Sequence, residues 1–408
     1  MTVTCLGCGC GCDDLTVLVR DGRIVELSPP CPVARQWFGD GTVPAEIQVE
    51  GRTASIEQAI EKAAALLSGA RRPAVLIAPD LTTQAQRIAI AAADLLRAEV
   101  DGATSEAAAA GLLAAQRRGR SAATLGEIRN RADVILFWAV DPRERYPRYL
   151  ERYAPAQGLH VQNRATLSVS IGADRGPAGV ELAAEFGPAE ESDALAVMVA
   201  TVRGQRLGEL PAALRPAVAL AERMMKGRYI AIVHDAEPGR EARDVQRAEG
   251  VVALAQALND GARSALSSLR AGGNRSGAEA ALTWQTGYPM RVSYREGAPA
   301  YEAATSGLSR ALAADAVLVA GSAAALGDPA IPLDRIPAVV IGPAASAVKG
   351  AKVAIDTGVA GIHEPGIGYR MDDVPLPLTP VLPTPRGAAE TLMRLLGALR
   401  AGAGRKAP

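Results

Sequence analysis

The chain has 408 residues, with 44 Lys and Arg against 44 Asp and Glu, so its formal net charge is zero and no long-range field steers it toward nucleic acid or an anionic membrane surface. That length exceeds one ordinary hydrophobic core and predicts several α/β domains that need no disulfides. Apolar residues make up 49% and aromatic residues only 3%, so Ala, Val, Leu and Ile fill the core, as they do where helices pack closely on a parallel sheet.

The N-terminus, MTVTCLGCGCGCDD, has no basic stretch followed by an apolar run, so it does not read as a secretory signal. No segment reaches the roughly 18 to 20 apolar residues that span a bilayer. A cytoplasmic location is the resulting expectation. All five cysteines fall between Cys5 and Cys31, which in a reducing compartment points to metal or redox chemistry rather than a disulfide framework. An alternating stretch from Leu15 to Leu27 follows, broken by Asp21-Gly22, whose turn chemistry predicts a β-hairpin.

From Ser55 the period changes. Ser55-Ile56-Glu57-Gln58 predicts a capping box opening a helix to about Ser68, then a buried strand over Pro73 to Ala78 and a helix from about Thr82 to Ala98. Further strands are predicted at 133–138, 159–162, 228–233, 315–319, 338–341 and 352–355, mostly separated by helical patterns. Continuous apolar runs of this kind suit parallel strands covered on both faces. Pro375 to Pro385, with five prolines, predicts an extended surface segment before a last helix over Ala388 to Ala401. The expected organisation is a β-rich cysteine subdomain over 1–53, an α/β domain begun over 54–145, a second α/β domain over 146–300, and a return to the first over 301–408.

Cys5-x-x-Cys8-x-x-x-Cys12, with Cys31 beyond the hairpin, is the most informative feature, because thiolates two to four residues apart on a glycine-bearing loop converge on one metal. The spacing suits a four-iron, four-sulfur cluster or structural zinc alike. Cys10 is left over, and since Cys8, Cys10 and Cys12 alternate, another ligand choice stays open. The plain alternative is a set of reduced thiols left by a decayed site.

The run ending in Cys12-Asp13-Asp14 resembles the start of the B subunit of formylmethanofuran dehydrogenase. Thr124 to Asp133, the strand ending in Trp138, Asp141-Pro142 and Pro147-Arg148-Tyr149 resemble that family's central segment. Gly277 through Thr283-Trp284-Gln285-Thr286-Gly287-Tyr288-Pro289 resembles another of its segments, and Thr357 to Gly361 with Tyr369 to Asp372 a third. The resemblance implies an α/β fold like the molybdopterin oxidoreductases (formate dehydrogenase and DMSO reductase-like domains I to III), without their C-terminal pterin-binding barrel. In redox-active members it also implies a cysteine or selenocysteine ligand to molybdenum or tungsten before the Thr-Leu-Gly-Glu motif. Ala107 occupies that position here, and no cysteine follows Cys31. A methyl group offers a soft metal no lone pair, and Ser105 and Glu106 lie off the aligned position.

That departure points to the related formyltransferase/hydrolase complex of one-carbon metabolism, from formaldehyde to formate. Molybdopterin is then expected to be absent and this chain to be a noncatalytic scaffold. The implied partners are an amidohydrolase-like chain, a formyltransferase chain and a small β-helix-like chain, with a methanofuran-type carrier on the complex. The alternative is a redox-active B subunit of formylmethanofuran dehydrogenase, with molybdopterin and an iron–sulfur cluster.

Arg145, Arg148 and Arg152 fall at i, i+3 and i+7, which places them on one helix face as candidate contacts for a carboxylate-rich carrier tail. Glu144 and Glu151 intervene, and a self-paired solvated face is the plainer reading. The three histidines, His160, His234 and His363, show no mutual ligand spacing. His234 closes an apolar strand, where α/β folds bind ligands, though a core histidine is the plainer role. Asp13 and Asp14 read as a helix or turn cap after Cys12 rather than an acid/base pair. No P-loop and no G-x-S-x-G elbow is present.

Overall fold

The computed structural model describes residues 1–102, 105–235, 243–302, 311–326, 333, 335–384 and 386–404. The chain forms two compact units, Met1–Glu106 with Gly272–Pro408, and Ala107–Ala271.

The first unit is built on a sheet of nine described strands, in the order Ala300–Tyr301, Val292–Ser293, Glu99–Gly102, Pro73–Ile77, Ala316–Ala320, Ala338–Gly342, Val353–Asp356, Ile47–Val49 and Arg52–Thr53. The five central strands pair in parallel and the outer ones antiparallel. Pro73–Ile77, Ala316–Ala320 and Ala338–Gly342 are buried at every residue, as their uninterrupted apolar sequences predict. The helix Ile56–Gly69 opens with the predicted capping box: Ser55 Oγ accepts from Gln58 N at 3.2 Å and Gln58 Oε1 from Ser55 N at 3.0 Å. Its neighbour Thr83–Leu96 turns Ala85, Ala89, Ile90, Ala92 and Ala93 inward, and these small residues pack in one core with Leu392, Leu395 and Leu396 of the last helix, Ala388–Gly404.

A separate antiparallel sheet, Thr2–Val3, Leu15–Arg20 and Arg23–Ser28, forms the small N-terminal β element. Asp21 and Gly22 both take positive φ, +49° and +73°, the primed turn that Asp-Gly favours.

The second unit holds an all-parallel sheet ordered Leu182–Phe186, Ala165–Ile171, Val134–Trp138, Tyr229–Asp235 and Arg263–Leu269. Val134–Trp138, expected in the first α/β domain, therefore pairs here, and the contact boundaries fall at 106/107 and 271/272 rather than near 145 and 300. The strand expected at 159–162 is a turn with an isolated bridge between Gly158 and Val161; Leu159 is 77% exposed, and the strand begins at Ala165. Pro375–Leu378 is extended as predicted, but it pairs with Gly366–Tyr369 and buries Leu376 and Leu378, so it is only half a surface segment. Pro385 lies outside the described residues.

Candidate metal centre in the cysteine loop

The loop from Cys5 to Cys12 bridges the first two strands of the N-terminal sheet and is closed at its base by Cys5 N donating to Cys12 O at 2.8 Å. Gly11 takes φ +53°, a conformation that lets the loop turn back on itself. Cys31 is the N-cap of the helix Pro32–Phe38, and that helix packs on the loop: a Cβ added at Gly7 would lie 2.9 Å from Val33 O and 3.0 Å from Trp37 Cβ. The hairpin thus returns Cys31 to the neighbourhood of the loop.

Cys5, Cys10 and Cys12 are buried, while Cys8 and Cys31 are half-buried. Burial pushes the Cys5 thiol well above its usual range; the amide of Gly7, which donates to Cys5 Sγ at 3.3 Å, pulls it back, and Cys8, Cys12 and Cys31 raise it further by like charge. The donor chemistry suits a thiophilic metal. The side chains are neighbours rather than a closed ligand shell: among the described residues no three His, Cys, Asp or Glu groups are arranged to hold a metal ion.

The loop is also gripped from segments that sequence spacing did not single out. Gly273 N donates to Leu6 O at 2.7 Å and Met371 N to Gly9 O at 2.9 Å. Gly272-Gly273-Asn274, which lacks the spacing of a phosphate loop, opens the helix Arg275–Thr286 instead. Asp13 and Asp14 are exposed at the bend after Cys12, and a strand rather than a helix follows them.

The three arginines do not share one helix face. Pro147 splits the segment into Pro142–Arg145 and Tyr149–Tyr153, because the residue before a proline avoids helical geometry. Arg145 pairs with Asp235, buried Arg148 pairs with Glu151 at 2.9 Å, and Arg152 stacks over the Tyr153 ring at 5.5 Å. Arg148 thus pairs within its own segment, whereas the partner of Arg145 lies on the strand Tyr229–Asp235.

His234 sits at the carboxyl end of its strand, buried, with Nε2 3.0 Å from Ser268 Oγ. Burial, aided by the charges of Arg120 and Arg247, lowers its pKa to about 4. With Arg270, Ser268, Leu112 and Ala108 it lines a cavity of about 40 Å³, on the scale of a buried water. His363 is structural: Nε2 contacts Gly41 O at 2.8 Å while Nδ1 accepts from Val359 N at 3.2 Å, which fixes a neutral ring. His160 is exposed. The helix Ser105–Arg118 runs through position 107, but the side chains of Ser105, Glu106 and Ala107 lie outside the described residues.

A buried acid that sequence reading passed over stands where the first sheet's strand order reverses. Asp80 follows Pro73–Ile77, accepts from Ser322 N with both carboxylate oxygens at 3.0 and 3.1 Å, and is raised by burial to about 6. Its only advance signal was an acid directly after a buried strand.

No protein-family model matches the chain. It is 28% identical over 412 residues to the B subunit of the tungsten-containing formylmethanofuran dehydrogenase 2 of Methanocaldococcus jannaschii, covering 94% of each chain. It is 26% identical over 419 residues to the protein of the same description from Methanococcus maripaludis, again covering 94% of each. A chain in the crystal structure of the formyltransferase/hydrolase complex (FhcABCD) from Methylorubrum extorquens, in complex with methylofuran, superposes with a TM-score of 0.73 at 26% identity, covering 88% of this chain and 99% of that one. By both its sequence and its fold, the chain resembles formylmethanofuran dehydrogenase B subunits and the corresponding chain of the formyltransferase/hydrolase complex.

Proposed function

We propose that this chain is the B-type subunit of a formyltransferase/hydrolase complex in one-carbon metabolism, formaldehyde to formate. It acts there as a scaffold for an amidohydrolase-like chain, a formyltransferase chain and a small β-helix-like chain, and carries no molybdenum or tungsten centre of its own. The observation that carries this reading is the whole-length likeness to a chain of such a complex, at a TM-score of 0.73. The sequence supports the noncatalytic part, since Ala107 stands where the resemblance implies a cysteine or selenocysteine ligand and no cysteine follows Cys31.

The kinship of both units to the formate dehydrogenase and DMSO reductase-like domains I to III belongs to the same reading, supported by their parallel sheets. So does a cytoplasmic location; among the described residues no helix is long and apolar enough to cross a membrane. A methylofuran-like carrier with a carboxylate-rich tail is the proposed small-molecule partner. Arg145 and Arg152 are its candidate contacts, whereas Arg148 is buried and ion-paired.

Within this reading Cys5, Cys8, Cys12 and Cys31 hold a four-iron, four-sulfur cluster or zinc, supported by the packing of the helix that Cys31 caps against the loop that carries the other three. A cluster supplies one-electron transfer; zinc supplies only structure. The same four cysteines favour the second reading, a redox-active dehydrogenase chain with molybdopterin.

Purification of the intact complex under anaerobic conditions, with metal analysis and two assays, decides between them. The scaffold reading expects formyl transfer and hydrolysis, no viologen-coupled oxidation of formylmethanofuran, and no stoichiometric molybdenum or tungsten. Stoichiometric tungsten or molybdenum with bound pterin overturns it.

A further inference from the structure

The cysteine loop takes much of its backbone support from residues more than 260 positions away in the same unit: Gly273 N on Leu6 O at 2.7 Å, and Met371 N on Gly9 O at 2.9 Å. Gly272 lies so close to the loop that a Cβ there would overlap the carbonyl oxygen of Gly7. Gly11 is pressed in the same way on Arg370, with an added Cβ 3.0 Å from its Cγ. Asn274 anchors this clasp. Its Nδ2 lies 3.0 Å from both Leu81 O and Thr83 Oγ1 and 3.2 Å from Gln86 Oε1, while its Oδ1 accepts from Tyr369 N at 2.8 Å. Asn274 is fully buried, so the amide joins the loop's support to the helix Thr83–Leu96 and the strand Gly366–Tyr369 through paired, desolvated groups.

We infer that Gly272 and Asn274 are positioning residues for the cysteine centre, holding the backbone of the loop in its final shape before any metal arrives. Small metal-dependent domains, whose backbone orders when the metal binds, behave in the opposite way. A preformed loop spares the metal the cost of ordering it. The inference rests on the proposal that Cys5, Cys8, Cys12 and Cys31 form a centre, and its readouts separate the two.

The full chain, stripped by chelator under reducing conditions, is followed by hydrogen exchange and by labelling with a thiol-reactive disulfide reagent. The amides of Gly273 and Met371 are expected to stay protected in the metal-free protein. Half-buried Cys8 and Cys31 should label ahead of buried Cys5, Cys10 and Cys12. Gly272→Ala should speed labelling of Cys5 and Cys12 roughly tenfold or more, and alter the thiolate-to-cobalt absorption on titration with Co²⁺. Gly69→Ala, whose added methyl meets nothing within 4 Å, should leave both readouts as in the wild type. Rapid exchange of Gly273 and Met371 in the metal-free wild type overturns the clasp whatever the variants do. So does wild-type labelling in Gly272→Ala. A wild type with protected amides that takes up neither cobalt, zinc nor iron removes the metal reading alone, and with it the centre these residues would position.

Discussion

Trp138 and Glu191 meet in the interior of the second unit, the indole N–H donating to Oε1 at 2.9 Å from a fully buried ring. Arg247 completes the arrangement, with one terminal nitrogen 3.2 Å from Glu191 Oε2 and 3.1 Å from Asp174 Oδ2. The strand Val134–Trp138 and the helices Glu191–Val202 and Arg243–Leu258 are thereby tied by one carboxylate.

Both members of the Arg247–Glu191 pair are almost completely desolvated, so removing Glu191 leaves the Arg247 charge to the half-exposed Asp174, and removing Arg247 leaves the Glu191 carboxylate to the Trp138 indole. Glu191→Ala or Arg247→Ala should each lower unfolding free energy by about 3 to 5 kcal/mol, whereas an apolar double replacement of similar volume should recover most of it. Urea titrations of the two single variants and the double variant give the answer. Additive losses in the double variant would mean that the pair does not act as a unit.

How far the sequence discloses such features depends on whether the signal is local. The capping box at Ser55, the Asp21-Gly22 turn and the apolar runs at Pro73–Ile77 and Ala338–Gly342 are local, and the structure matches them. Two strands of the second unit escaped because serines interrupt them: Ser168 and Ser170 in Ala165–Ile171, and Ser264, Ser267 and Ser268 in Arg263–Leu269. Several of these hydroxyls are buried yet partnered, Ser170 by Gly176 N, Ser267 by Tyr149 and Ser268 by His234, so the interior tolerates what a hydropathy pattern scores as polar. The cysteine spacing named thiols on one loop and on the helix packed against it, but the clasp at Gly272–Asn274 and Met371 is a long-range contact with no periodicity to betray it. Pro147 did carry the information that divides the arginine segment, and reading helical spacing across it gave it too little weight.

Glu364 caps the last helix from a distant loop, its two oxygens accepting from Ala388 N and Ala389 N at 2.9 Å each. Glu364→Ala leaves two helix-terminal amides in a buried setting and should cost about 2 kcal/mol, with early exchange of the first turn of Ala388–Gly404. Glu364→Gln keeps one acceptor and should lose less. Equal stability of the alanine variant and the wild type would show that water replaces the carboxylate.

Asp80 gives the first unit an acid-side preference. Its carboxyl is lifted by burial from 3.8 to about 6, against the pull of the Ser322 amide, so the folded state keeps a proton that the unfolded chain releases. The stabilisation is complete below pH 3.8 and is lost as pH rises through about 6. At pH 7 the ionised carboxylate costs on the order of 3 kcal/mol, from 1.36 kcal/mol per unit of pKa. Asp80→Asn retains an acceptor for Ser322 N, and its stability relative to the wild type should therefore increase between pH 4 and pH 7. A constant difference across that range would mean that Asp80 titrates normally.

His234 gives the second unit the opposite slope. Burial lowers its pKa from 6.5 to about 4, so the unfolded chain binds the proton first and stability falls as pH drops through that interval. The imidazole should show no NMR titration above pH 5, and His234→Gln, which keeps a partner for Ser268, should remove this acid-side loss. In the wild type the Asp80 and His234 contributions oppose each other between pH 4 and pH 6, so a nearly flat profile would hide both. The single variants separate them: Asp80→Asn should leave a chain that weakens with acid, and His234→Gln one that strengthens. If both variants keep the wild-type profile, neither group is as desolvated as its surroundings require.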